Sequence, residues 1–327
     1  MSRLVQWEQW IGRRVRLRDL FVFFTVVEYG SMAKAASKLG VSTPSISEVI
    51  AALEHALGVR LLDRTAKGVT MTPYGEALLS RGRSAFDELR QGIRDIEFIA
   101  DPGSGELRIG CPESIAAGFL LPVMERVTTD YPRVKFHVEH VRQPTVEFPE
   151  LMERKVDLVL ARLVRVPSLG RLDEELNADV LFDDPYSLVV GAKSQWARRR
   201  RVDLVDLVDE PWIMPPLDAI GAYHLADAYT ASGMKAPNSV ITTFSLHLRI
   251  DLVSSGQFIT VLPRSTLQII GKRRSLAELP IELSMQPTPV AIVTLRNRTL
   301  GPVADVFIKC AREVAKSVAG RLRPRKT

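Results

Sequence analysis

Residues 17–79 read LRDLFVFFTVVEYGSMAKAASKLGVSTPSISEVIAALEHALGVRLLDRTAKGVTMTPYGEALL. Leu17, Leu20, Phe21, Phe24 and Val27 recur every three or four positions and predict an amphipathic helix that Gly30 ends. Ser31 can cap a second, short helix with Ala35, Ala36 and Leu39 turned inward, and Gly40 supplies the backbone freedom needed after its last turn. Ser42 caps a third helix, Pro44 fits its first turn, and Ile46, Ile50, Leu53 and Leu57 form one apolar stripe that leaves Thr43, Ser45, Ser47 and Glu48 facing outward. Two helices joined by a tight glycine turn, the second offering small polar side chains at its start, have the dimensions of a helix-turn-helix.

Beyond Gly58, VRLLDR and GVTMTP alternate about AKG, which predicts a short hairpin, or wing, with Arg60, Arg64 and Lys67 on or beside it. Pro73 opens a long helix to about Ile99, in which Leu79, Gly82, Phe86, Leu89, Ile93 and Ile96 repeat at intervals of three and four. A seam of that kind calls for a partner helix, and homodimerisation is the simplest source. Gly82 and Gly92 weaken the helix by about 0.5–1 kcal/mol each relative to alanine, so tertiary contacts must support it. Asp101–Glu106, DPGSGE, breaks the helix and reads as a hinge and domain boundary.

Downstream, short apolar strands alternate with helices: LRIGC, a helix around Phe119 to Tyr131, VKFHVEHV, a helix through Met152, and DLVLA. YSLVVG, PWIM, a helix near Ala222 to Thr230, SVITT, a helix around Leu246 to Val253, and FITVLP form a second such set. That order predicts parallel α/β sheets in two lobes. Strands near Ile281 to Leu283 and Val290 to Leu295 and a helix from Val303 to Val318 complete the first lobe if the lobes exchange segments. The expected divisions are an extension at 1–16, a DNA-binding domain at 17–73, a linker helix at 74–100, a two-lobed domain at 101–320 and a basic tail at 321–327. Within the two-lobed part, one lobe takes about 101–165 and 275–320 and the other about 180–265.

A chain of 327 residues suits two or three folding units. Its composition, 46% hydrophobic and 25% charged, is that of a globular protein rather than a disordered or membrane-embedded one. The first residues lack the apolar run of a secretory signal, and no stretch approaches the roughly 20 apolar residues of a membrane span. Cytoplasm, without membrane association, is the expected location. Cys111 and Cys310 are far apart in apolar settings and are expected to be buried thiols. The net charge of +6 favours a polyanionic partner, and residues 1–75 carry ten Lys and Arg against six Asp and Glu. The basic runs at Arg198 to Arg201, Lys272 to Arg274 and Arg321 to Lys326 read as solvated loops or a frayed end.

The EYGS turn, the Ala35–Ala36 pair, SxPSxS from Ser42, LExxLGxxLxxR into the wing and TPYG into the linker resemble, in order and spacing, the N-terminal signature of LysR-type transcriptional regulators. GELRIG, LLP, DLVLAR, LVSSG and TVLP extend the likeness through the C-terminal half. The resemblance implies an all-α winged helix-turn-helix, a linker helix forming an antiparallel dimer seam, and a two-lobed α/β domain like the periplasmic binding proteins. It further implies double-stranded promoter DNA, a small-molecule effector and RNA polymerase as partners, with a homotetramer built as a dimer of dimers, and no cofactor or metal.

On that resemblance the DNA-contact candidates are Ser31, Ala33, Ser42, Thr43, Pro44, Ser45 and Ser47, with Arg64 and Lys67 at the wing meeting phosphates. Capping is the competing role for Ser42. Thr43 stands where many relatives have glutamine. Effector candidates follow from the cleft at strand ends of two-lobed folds, where helix N-termini favour anions. They are Pro112, Glu113, Ser114, Arg162, Pro215, Phe244, Ser245 and His247. An organic acid suits Ser114 and Arg162, whereas Glu113 repels one unless Arg162 pairs with it. An enzyme or a solute-binding protein built on the two-lobed domain is the alternative. No nucleophile elbow, Gly-rich phosphate loop or His/Cys metal spacing supports the former. The expected mechanism is an oligomer on paired half-sites whose DNA bend changes when effector closes the cleft, transmitted by the linker hinge.

Overall fold

The run LFVFFTVV is apolar on every side, so packing rather than period selects its inner face. In the computed structural model, which describes residues 14–65, 68–141, 148–163, 175–216, 219–271, 273–281, 283 and 288–322, helix α1 (Leu17–Tyr29) buries Val22, Phe23 and Val26. The expected stripe is therefore the flank of α1, and Leu17 and Phe21 are 53% and 51% exposed. That flank meets the long helix α4 (Pro73–Ala100), where the Phe86 ring lies 6.4 Å from Phe21 and 5.3 Å from Phe24.

Helix α2 (Met32–Leu39) starts at Ser31, whose side chain accepts from the Lys34 amide, and ends at Gly40, whose φ of 66° suits glycine. Helix α3 (Thr43–Leu57) is capped by Ser42 and turns Ile46, Ile50 and Leu53 onto α1 and α2. Burying each of these contributes about 1.5–3 kcal/mol. Glu54 reaches from α3 to accept from the Leu61 and Leu62 amides at 2.7 and 3.1 Å, fixing the entry to the hairpin of β1 (Leu62–Thr65) and β2 (Gly68–Met71). Gly82 admits the Phe24 ring, because a Cβ there would stand 2.3 Å from Phe24 Cζ. Close approach, not indifference to helicity, accounts for that glycine.

The chain forms two compact units that divide inside α4, between Leu89 and Arg90. The last third of α4 thus belongs to the second unit, upstream of the DPGSGE segment expected as the boundary. Asp157 explains this: its carboxylate accepts from Arg94 Nη1 at 3.1 Å, Arg298 Nη2 at 2.7 Å and the Arg108 amide at 2.8 Å. Asp101 inside DPGSGE is itself ion-paired with Arg133.

The second unit holds two five-stranded sheets. The first has the order β4 (Arg133–His140), β3 (Ser104–Cys111), β5 (Leu158–Arg162), β12 (Pro289–Leu295), β6 (Leu176–Asp183). The second has the order β11 (Leu276–Glu278), β7 (Tyr186–Gly191), β10 (Ile259–Pro263), β8 (Trp212–Met214), β9 (Ser239–Thr242). Both are mixed, not parallel as expected: β12 runs antiparallel to β5 and β6, and β7 antiparallel to β10 and β11. These are the strands at which the chain crosses between lobes. A strand arriving from the other lobe does not return through a helical crossover, so nothing forces it parallel.

Ile281 and Leu283 are not in a strand; β11 lies earlier and belongs to the second sheet. Pro280, which has no amide hydrogen, stands between β11 and that segment. Return to the first sheet comes at Pro289 instead of near 275. The strand β6, in a stretch left without an element by the sequence reading, joins the first sheet.

The helices of the two lobes lie against these sheets. Glu113–Ile115 leads through a π turn, Ala116–Leu120, into α5 (Leu121–Asp130); α6 (Pro149–Met152) follows β4. The second lobe carries α7 (Ile220–Ala231), α8 (Leu246–Ser254) and α9 (Arg264–Ile270), and α10 (Pro302–Leu322) packs Phe307, Ala311 and Val318 into the first core. Trp212 and Tyr229, fully buried and edge to face, centre the second core.

Candidate nucleic-acid interface and interlobe cleft

In the first unit, the Ser42 hydroxyl accepts from the Ser45 amide at 3.3 Å and lies 2.9 Å from the Ser45 hydroxyl. That cap holds the first turn of α3 open to solvent: Ser42, Thr43, Pro44 and Ser45 are all exposed. Ser47 departs from the expected outward face. It is half-buried and donates to Met32 Sδ at 3.2 Å, because one turn further along α3 the helix surface curves onto α2. Ser31 is half-buried as the cap of α2, and Ala33 beside it is exposed. Arg64 is exposed on β1 opposite Val69, whereas Lys67 lies outside the described residues. Small exposed side chains at a helix start, with a guanidinium on the hairpin of the same unit, suit a polyanionic backbone.

In the second unit, a cleft between the lobes encloses about 620 Å³, its open mouth included. Of the sequence-derived candidates, Pro112, Glu113, Ser114, Pro215 and Phe244 line it. Arg162 does not. It sits behind Ser114, donating to that hydroxyl at 2.8 Å and to Asp184 Oδ2 at 2.7 Å. Burial pulls its guanidinium down, but Tyr186 and Asp184 more than offset this and the pKa is raised. Ser245 caps α8 by accepting from the Leu248 amide, and exposed His247 turns away to Asp251 at 3.1 Å. Neither lines the cleft.

Arg162 does not pair with Glu113, contrary to the condition set for an acid ligand. Glu113 Oε2 instead accepts from the Leu246 amide at 2.8 Å, so a carboxylate of the first lobe occupies the N-terminus of α8 in the second.

His140, Tyr186 and Arg249 line the cleft and were not singled out by the sequence reading. Arg249 carries a legible signal: with Leu246, Ile250 and Val253 it forms the buried stripe of α8, so a guanidinium occupies an inward position. Burial pulls its pKa down to about 10, with Tyr186 and Glu113 partly opposing. Burial raises the Tyr186 hydroxyl, with Arg162 opposing. Cys111 and Cys310 are both buried and free, and burial raises both thiols, which keeps them protonated. Among the described residues no group of His, Cys, Asp and Glu is placed to hold a metal ion, and no helix is long and apolar enough to cross a membrane.

A helix-turn-helix followed by a two-lobed α/β domain with a cleft between its lobes defines a ligand-responsive DNA-binding regulator. Comparison with known families agrees: the profile described as "Bacterial regulatory helix-turn-helix protein, lysR family" matches residues 17–76, and that of the "LysR substrate binding domain" matches residues 100–316. The chain belongs to the LysR family of transcriptional regulators, with a DNA-binding and an effector-binding domain. It is similar to the HTH-type transcriptional regulator GbpR of Azospirillum brasilense, 25% identical with 91% of this chain and 86% of that protein covered. It is 29% identical to the transcriptional dual regulator GltC of Bacillus subtilis, covering 90% of this chain and 95% of that protein. Full-length OxyR from Pseudomonas aeruginosa shares the fold, with a TM-score of 0.65, 19% identity, and 91% and 97% of the two chains covered. The relatives are transcriptional regulators rather than enzymes, which removes the enzyme reading.

Proposed function

We propose that the chain binds paired half-sites in promoter DNA through the first turn of α3 and the wing, and that a small organic-acid-like effector held between the lobes changes the bend or spacing of the bound DNA. Ser42, Thr43, Pro44, Ser45 and Ser31 with Ala33 face the duplex; Arg64, aided by Lys67, takes phosphates. Ser47 contributes through its bond to Met32 more than through DNA. The exposed, polar first turn of α3, with exposed Arg64 on the wing of the same unit, supports this reading.

The protein acts in the cytoplasm as a dimer of dimers and contacts RNA polymerase on the promoter. Ile93 and Ile96 on α4, 60% and 68% exposed, support a helix-to-helix seam between copies. The effector can shift the DNA-bound equilibrium only by binding the two arrangements with different affinity.

A gel-shift titration against the upstream intergenic DNA at two salt concentrations, with unrelated DNA as competitor, tests the reading. Arg64→Ala should lower the slope of log affinity against log salt by about 0.9, one phosphate's worth. Ser45→Ala should weaken binding by about fivefold, roughly one hydrogen bond. Equal affinity for both DNAs, with neither variant altering it, overturns the assignment of this surface.

A further inference from the structure

We propose that the ligand of the interlobe cleft is a small zwitterion, an α-amino acid with an apolar side chain, whose carboxylate is taken by Arg249 and whose ammonium is taken by Glu113. The proposal rests on the effector-cleft reading above and deepens it.

Arg249 is 6% exposed and faces the cleft. Its Nη1 makes one long bond to the Val261 carbonyl, 3.4 Å, and its Nε has no partner among the described residues. No carboxylate of the described residues stands within ion-pair distance of it, in contrast to Arg162, which Asp184 already neutralises. A buried guanidinium left in that condition is unfavourable unless something pairs with it. Its planar fork matches a carboxylate, which can pair with the orphaned Nε and with the Nη2 beside it on the same edge. The anion position therefore moves from Arg162, where the sequence suggests it, to Arg249.

Glu113 decides what else the ligand carries. Its carboxylate already fills the anion position at the start of α8 and uses one acceptor site on the Leu246 amide, which leaves further acceptor capacity in the cleft wall. A simple acid or a dicarboxylate would place a further negative charge beside this carboxylate. An ammonium group converts the repulsion into attraction, and a pure amine would in turn leave Arg249 unpaired. One cation and one anion on the walls call for one of each on the ligand. Between them Val141, Ile220, Leu246 and Val261 supply the apolar surface for a hydrocarbon side chain.

The test uses the full-length protein and three matched series: leucine, isoleucine, valine, methionine and phenylalanine; the corresponding acids lacking the amine; and the corresponding amines lacking the carboxylate. Calorimetric titration should find at least one amino acid that binds at least tenfold more tightly than both of its truncated analogues. Arg249→Gln should abolish that binding; should this variant fail to fold, Arg249→Lys should keep it, weakened, and keep the preference for the zwitterion. Glu113→Gln should remove the preference, so that the amine-free acid binds as well as the amino acid, which a merely structural role would not produce. Equal binding of acid and amino acid by the unaltered protein, or no binding by any member of the three series, overturns the proposal. The cleft reading is judged separately by Ala219→Trp, which fills the cleft: a changed DNA footprint upholds an effector cleft of different ligand chemistry, and an unchanged one overturns the cleft as well.

Discussion

Arg162 and Asp184 hold each other at 2.7 Å with side chains 1% and 0% exposed, at the point where the chain first passes from one lobe to the other. Asp184 also accepts from the Ser265 amide and hydroxyl, and its carbonyl accepts from Thr288 at the second crossing. The pair thus ties both crossings together from a buried position. Removing one partner of such a pair strands the other charge, so Asp184→Ala should destabilise the second unit by about 3–5 kcal/mol. Arg162→Met combined with Asp184→Leu should cost less than Asp184→Ala alone. Urea unfolding measures both, and simple additivity of the two changes would show that the pair is not a coupled unit.

Gly82→Ala pits helix propensity against packing. Alanine gains up to about 1 kcal/mol in a helix, but its Cβ would lie 2.3 Å from the Phe24 ring. Overpacking of this kind costs about 1–3 kcal/mol, so the variant should be less stable by thermal unfolding. A rise in melting temperature would mean that the ring moves aside freely.

The exposed stripe on α4 bears on assembly. Ile93→Glu together with Ile96→Glu should lower the oligomeric state in light scattering while leaving the circular dichroism spectrum unchanged. An unaltered mass would place the seam elsewhere.

His224 lies buried on α7, and burial lowers its pKa below the usual 6.5, with Asp227 partly opposing. The unfolded chain therefore takes up this proton first as pH falls. The contribution is fully present above about pH 6.5 and is lost as pH falls from there toward the lower folded-state value. The melting temperature should decline below pH 6.5, and His224→Gln should flatten that decline. The same slope in both proteins would assign the effect to other groups.

Much of the fold is legible in the residues because local signals and packing agree. Ser42, Pro44 and Gly40 mark helix ends whose causes are short-range, and they stand in the structure where the sequence puts them. Where packing alone decides, the reading fails. The LFVFFTVV run offers two apolar faces, and the core centres on Val22, Phe23 and Val26 while Leu20, Phe24 and Val27 of the predicted stripe pack at its edge. Ser47 looks outward by period but meets Met32, a contact set by how α2 lies across α3. Sheet polarity depends on crossings between lobes, and strand periodicity carries no information about those. In the cleft, Pro112, Glu113, Ser114, Pro215 and Phe244 are legible because they follow strand ends. Arg249 was available as a charge on an apolar stripe, but its meaning depends on Asp184 having already paired with the charge of Arg162.

The strand β12 lies inside its sheet, between β5 and the edge strand β6, although it is made after every strand of the other lobe. A ribosome therefore releases the whole second lobe before the first has this interior strand. The order of maturation is inverted with respect to the order of synthesis: the lobe begun first is closed last. Until Pro289–Leu295 emerges, β5 and β6 present unpaired edges, and a nascent chain stalled there is the form most exposed to aggregation and proteolysis.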